Sequence, residues 1–177
     1  MRRDVVELWS LELGWSPRVI AYGSYGRPVL VFPSSEGRAE DYESNGMVDA
    51  VRPLIDAGRV KLYCLDSWDG GSWYRHDLPL EERARRHEAY ERWVVEGAVP
   101  FVDSVLRGGP ATDPVPIVLT CGLIEENVDN NRLMTRALGA QGYDTRLVEN
   151  RDVHTYTGWR DTFDPNLVDL VQRVLTP

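Results

Sequence analysis

The chain has 177 residues, 42% of them apolar and 27% charged, the profile of one globular domain, residues 1–177, with a core of its own. A formal net charge of −8 and a pI of about 4.9 argue against nucleic acid and against anionic membrane surfaces as partners. No apolar run approaches the roughly 20 residues of a membrane span, and "MRRDVVELWS" turns acidic without an apolar leader core, so the chain reads as cytoplasmic.

In chain order, "RVIAYG" (18–23) and "PVLVFP" (28–33) are β-branched and apolar, and the glycines between them predict a hairpin. "NGMVDAVRPLIDAG" (45–58) repeats apolar residues at a helical period, with Gly58 as its stop. "RVKLYCLD" (59–66) is a continuous apolar run of the kind buried in a parallel sheet. "WDGGSWYRHD" reads as a loop, and residues 78–106 as a helix pair or one helix broken at Gly97–Pro100. "VPIVLTCG" (115–122) is a further buried strand. Residues 129–142 are helical, with Asp129 as N-cap and Gly142 as stop. "DTRLVEN" (144–150) is a strand, and "DPNLVDLVQRVL" (164–175) a helix capped by Asp164 with Pro165 in its first turn. The alternation of strands and helices predicts an α/β fold with a mainly parallel sheet flanked by helices. Cys64 and Cys121 both end apolar runs and read as two buried thiols rather than a disulfide.

Ligands of open α/β sheets sit beyond the carboxyl ends of the strands. The segments there are "PSSEGR", "DSWDGGSWYRH", "CGLIEEN" and "NRDVHTYTGW", the last of which carries His154. No His/Cys/Asp spacing reads as a metal site, and no cofactor is expected. "YGSYG" joins two strands and precedes no helix, so it is a turn and not a phosphate loop.

The order of "YGRPVLVFPSSEGRAEDYESNGM", "VKLYCLDSWDGGSW", "RRHEAYERWVVEGAVPF" and "VPIVLTCGLIEENVDNNRLMTRALGAQGYDTRLVENRDVHTYTGWRD" resembles the α/β-hydrolase superfamily, in particular esterases related to esterase D and enterochelin esterase. The resemblance covers nearly the whole chain. It implies a shortened α/β-hydrolase-like fold and a small-molecule ester or acyl ligand. It also implies His154 as general base, Glu125 or Glu126 as the acid that orients it, and backbone N–H groups at Ser34 and Ser35 as part of an oxyanion hole. Trp68, Trp73 and Trp159 would wall the pocket.

The family's nucleophile elbow, G-x-S-x-G, is absent: none of Ser10, Ser16, Ser24, Ser34, Ser35, Ser44, Ser67, Ser72 and Ser104 lies in that pattern. Only "VDSVLRGGPATDP" stands where the elbow strand and helix belong. One expectation is that "VPIVLTCG" slides in beside "PVLVFP" and closes a single shortened sheet. The alternative is that exposed edges pair between chains to make a homodimer. If the sheet has closed up within the chain, Cys121 would occupy the old elbow position, where a thiolate is a competent nucleophile, although a small buried residue is the commoner role. Ser72 reads as a loop serine, and His76 and His87 as surface or packing residues. Three functions stay open: an ester hydrolase, a non-catalytic descendant that binds a ligand, and a truncated or engineered minimal fold.

Overall fold

The computed structural model describes residues 1–106, 117–124, 128–140, 142, 144–151 and 155–175. The chain divides into two compact units, Met1–Val48 with Arg52–Gly108, and Asp49–Val51 with Gly109–Pro177. The first holds a four-stranded sheet in the order β1 (Arg3–Glu7), β2 (Arg18–Tyr22), β4 (Val60–Leu65), β3 (Arg27–Val31). β1 and β2 are antiparallel, β2 and β4 are antiparallel, and β3 and β4 are parallel. The sheet is therefore mixed rather than mainly parallel.

The predicted hairpin between the second and third strands does not form. β4 lies between them, pairing Ile20 with Cys64 on one side and Val29 with Leu62 on the other. The reason is burial: all six residues of β4 are buried, and a strand in that position needs both rows of backbone groups paired. A hairpin of β2 on β3 would have left β4 at an edge. Gly26 (φ 121) lets the start of β3 approach β4, since a Cβ there would stand 2.7 Å from the Val60 backbone. β1, absent from the sequence expectation, is instead hairpinned to β2 through residues 8–17, tied by Leu8 N–H to Pro17 O at 3.0 Å.

The predicted helix at 45–58 is two short pieces, α2 (Met47–Ala50) and α3 (Arg52–Asp56), preceded by a separate turn of helix, α1 (Asp41–Ser44). Gly58 ends the last at φ 66, where a Cβ would enter the Tyr25 ring. Residues 80–106 form one helical run: α4 (Leu80–Trp93), a π segment (Val94–Ala98) and α5 (Val99–Leu106). The expected break at Gly97–Pro100 is a widened turn instead. A proline crowds the carbonyl four residues back, and a π turn placed just before it moves that carbonyl aside. Tyr90, Trp93, Ala98 and Val102 of this run pack with Val19, Ala21, Tyr63 and Leu65 from one face of the sheet. Each fully buried large apolar side chain contributes about 1.5–3 kcal/mol.

The second unit holds β5 (Ile117–Gly122) and β6 (Thr145–Asn150), parallel and in register, with α6 (Val128–Ala140) and α7 (Tyr156–Leu175). The described strands form two ladders, one of four strands in the first unit and one of two in the second. α6 begins at Val128, which puts Asp129 in its first turn rather than at its cap. α7 starts eight residues earlier than expected, so Asp164 and Pro165 fall inside it. Among the described residues no helix is long and apolar enough to cross a membrane.

The strand ends of the first unit are held by a buried ion pair. Asp66, 0% exposed, follows β4 and accepts from Arg18 N–H, Nε and Nη2 at 3.0 Å each and from Ala39 N–H at 2.9 Å. Burial pushes its carboxyl up, but the Arg18 and Ala39 hydrogen bonds and the guanidinium charge outweigh this and hold it below the ordinary carboxylate value. Stability from a depressed carboxyl is complete above its unfolded value of about 3.9 and is lost as pH falls through the lower folded value. Asp66→Asn should therefore cost about 2–4 kcal/mol at pH 7, and its deficit against the parent should shrink below about pH 4. Urea melts of both proteins between pH 7 and pH 3 measure this; a deficit independent of pH would contradict it.

Candidate functional site

Four strand ends supply the predicted site segments, two in each unit. In the first unit the segment after β3 turns at Ser34–Gly37, closed by Gly37 N–H to Ser34 O at 2.8 Å. Glu36 sits in that turn at φ 56, a left-handed conformation uncommon outside glycine. Its N–H donates to Asp69 Oδ2 at 3.0 Å, and Ser67 N–H donates to Gly37 O at 3.1 Å, so the two strand-end loops are stitched together. Ser35 is exposed and its N–H donates to no group among the described residues.

The segment after β4 carries Trp68 and a short 3₁₀ turn (Asp69–Gly71). Trp68 lies flat on Gly71, where a Cβ would stand 2.4 Å from the indole. Arg86 Nη1 and Arg83 Nη1 of α4 donate to the carbonyls of Gly71 and Trp73 at 3.3 and 3.1 Å, fixing the loop to the helix. A cavity of about 300 Å³ lies between the two loops, lined by Trp15, Glu36, Arg38, Ser67, Trp68, Gly70 and Gly71. Trp68 lines this cavity. Trp73 sets its ring 5.1 Å from that of His87 on α4. Ser72 is fully buried and donates to Trp68 O at 2.9 Å, which spends its hydroxyl on the turn.

In the second unit the register is the informative feature. Gly122, the last residue of β5, is the partner of Asn150, the last residue of β6. Leu123 N–H extends the pairing to Asn150 O at 2.8 Å. Glu125, Glu126 and His154 lie outside the described residues. Trp159 falls in the first turn of α7 and meets Tyr156 edge to face at 5.1 Å. Cys121 is 2% exposed, and Asn131 Nδ2 of α6 lies 3.3 Å from its Sγ. Arg132 of α6 grips Glu149 at 2.6 Å, and that hydrogen bond holds the Glu149 carboxyl low. Both cysteines are buried thiols outside any disulfide, and burial pushes the Cys64 thiol up to about 12.

The described histidines belong to other arrangements. His76 Nδ1 is 3.4 Å from Arg83, and His87 Nε2 is 3.4 Å from Glu91. Among the described residues no group of three or more His, Cys, Asp or Glu stands ready to hold a metal. Sequence reasoning passed over three residues that shape the site: Asp66, Arg38 and Glu36. Only Asp66 had a signal, a charged residue closing an otherwise apolar run.

No family model matches the chain, and no curated protein does. Solved structures do. A ferulic acid esterase superposes with a TM-score of 0.66 at 12% identity, over 97% of this chain and 97% of its own. An S-formylglutathione hydrolase from Staphylococcus aureus gives 0.57 at 9% identity, over 96% and 98%. The enterobactin esterase of Shigella flexneri gives 0.63 at 15% identity; the match takes in 99% of this chain and 61% of that one.

The packing of Trp68 on Gly71 predicts that Gly71→Ala displaces the indole. The expected cost is about 1–3 kcal/mol, with a changed near-UV circular dichroism band; an unaltered band and melting point would contradict the geometry. The described strands and helices are α/β in architecture, and the chain shares its fold with these solved esterase and hydrolase structures.

Proposed function

We propose that the protein hydrolyses a small carboxylic ester by general-base catalysis, without a covalent serine intermediate. The observation that carries this reading is the parallel register that pairs Gly122 with Asn150. The segments bearing Glu125 and Glu126, and the segment bearing His154, leave the sheet from adjacent strand ends. His154 lies four residues beyond Asn150, and Glu125 three beyond Gly122.

In this mechanism His154 takes a proton from water as the water oxygen attacks the ester carbonyl. Glu125, or Glu126 in its stead, holds the imidazole and offsets the imidazolium charge. The resemblance assigns the donors to the oxyanion to the backbone at Ser34 and Ser35. The tetrahedral intermediate collapses, the C–O bond to the alcohol breaks, and the imidazolium returns its proton to the leaving oxygen. The resemblance assigns apolar substrate walls to Trp68, Trp73 and Trp159, of which Trp68 lines the cavity of the first unit. Water as nucleophile accounts for the missing G-x-S-x-G. It also fits the described thiols and Ser72, all of which are buried. The protein is read as cytoplasmic and as a monomer or homodimer with no cofactor.

A second reading, a hydrolase fold that binds a ligand without turning it over, is favoured by the same missing elbow. Turnover of p-nitrophenyl acetate separates the two. The first reading expects His154→Ala to lower the rate about 10²–10⁴-fold, and one of Glu125→Gln or Glu126→Gln to lower it less. Turnover no faster than buffer, or unaffected by His154→Ala, would leave the binding protein.

A further inference from the structure

We propose that the open edge of β1 is a self-association surface, to which a second copy of the chain adds its own β1, antiparallel, about a two-fold axis at Val5. The inference concerns assembly and does not depend on ester hydrolysis.

The backbone decides which residues can face a partner. Along an antiparallel pair, residues alternate between those that bond across the pair and those whose N–H and C=O point away. Gly23 N–H donates to Arg2 O at 2.9 Å, Leu8 N–H to Pro17 O at 3.0 Å and Ser10 N–H to Trp15 O at 3.0 Å. The register between them runs unbroken from Arg3 opposite Tyr22 to Glu7 opposite Arg18. The even-numbered residues therefore bond to β2, and the N–H and C=O groups of Arg3, Val5 and Glu7 point away from it. β1 is the end strand of its sheet, and among the described residues those N–H groups donate to nothing. Such an edge is a template for a further strand.

The side chains on that edge are self-complementary. Odd-numbered residues can pair only with odd-numbered ones, because both members must offer their N–H and C=O groups. Of those registers, the one centred on Val5 sets Val5 against its own copy, Arg3 against the partner's Glu7, and Trp9 against the partner's Met1. Arg3 and Glu7 are exposed, and so are the apolar Val5 (49%), Trp9 (64%) and Met1 (44%). Opposite charges directly across an antiparallel pair stabilise it, whereas registers centred on Arg3 or Glu7 would oppose like charges. Glu43 takes Arg3 Nε at 3.0 Å, and a guanidinium has further N–H donors for a second carboxylate. Each facing pair of residues exchanges both of its N–H···O bonds. The contact is small, so the dimer forms reversibly.

The test is sedimentation equilibrium of the whole chain from micromolar to millimolar concentration, in about 0.15 M salt to screen its net charge of −8. The parent should pass from monomer to dimer. Val5→Pro removes an N–H that no bond within the chain uses, so it should keep the parent's circular dichroism and lose the dimer. Glu7→Arg opposes arginine to arginine on both sides of the axis and should weaken association about tenfold. That variant also lowers the net negative charge, so general repulsion alone would move association the other way. Were Val5→Pro to misfold, Glu7→Arg still decides. A parent that stays monomeric at millimolar concentration, a dimer that survives in folded Val5→Pro, or association undiminished by Glu7→Arg would each overturn the assignment.

Discussion

The Asp66 carboxylate is the fixed point of the first unit. It lies at the carboxyl end of the most buried strand and receives four donors, three from Arg18 and one from the backbone of Ala39. Arg18 begins β2, Ala39 belongs to the segment after β3, and Tyr90 Oη of α4 donates to the Asp66 carbonyl at 2.8 Å. One residue thus ties two strands, a loop and a helix at the end of the sheet where ligands bind in this fold class. Removing a charge from water costs several kcal/mol, and only near-complete hydrogen bonding makes such a burial tolerable. Arg18 completes the arrangement by gripping Glu40 with its remaining N–H groups.

From that anchor the cavity follows. Ala39 is pinned to Asp66, so the chain just before it must fold back in a tight turn, and Glu36 takes the left-handed conformation at that turn. Arg38, one residue from the pinned position, is carried onto Trp15. The loop after β4 starts at Ser67, next to Asp66, and is held from outside by the α4 arginines. The ion pair of buried Asp66 with half-buried Arg18 in this way sets the positions of side chains that line the cavity.

The sequence revealed the elements better than their neighbours. Continuous apolar runs marked β2, β4 and β5, and the glycine at 58 marked a stop, because burial and positive φ leave residue-type signatures. The partner of each strand was less legible. "GSYG" is good hairpin chemistry, yet β4 intervenes, because a strand buried on both faces outcompetes a local turn. The start of α7 was placed at Asp164–Pro165 because that pair is a strong helix-start signal; the helix runs through it. Of the site, Trp68 and the Ser34–Ser35 turn were legible as strand-end segments. Arg38 was not, since its place over Trp15 and in the cavity lining is visible only in the fold. His154, Glu125 and Glu126 rest on their places in the chain, just past the paired strand ends.

The central claim is that a histidine beyond β6 activates water directly, in a fold whose relatives by structure are named as esterases and a hydrolase. The most direct measurement is rapid-quench mass spectrometry of the intact protein during p-nitrophenyl acetate turnover, with the first turnover followed optically. The account predicts linear product release from time zero and no acetylated protein. A burst of p-nitrophenol accompanied by an acetyl adduct on a serine or cysteine would contradict it.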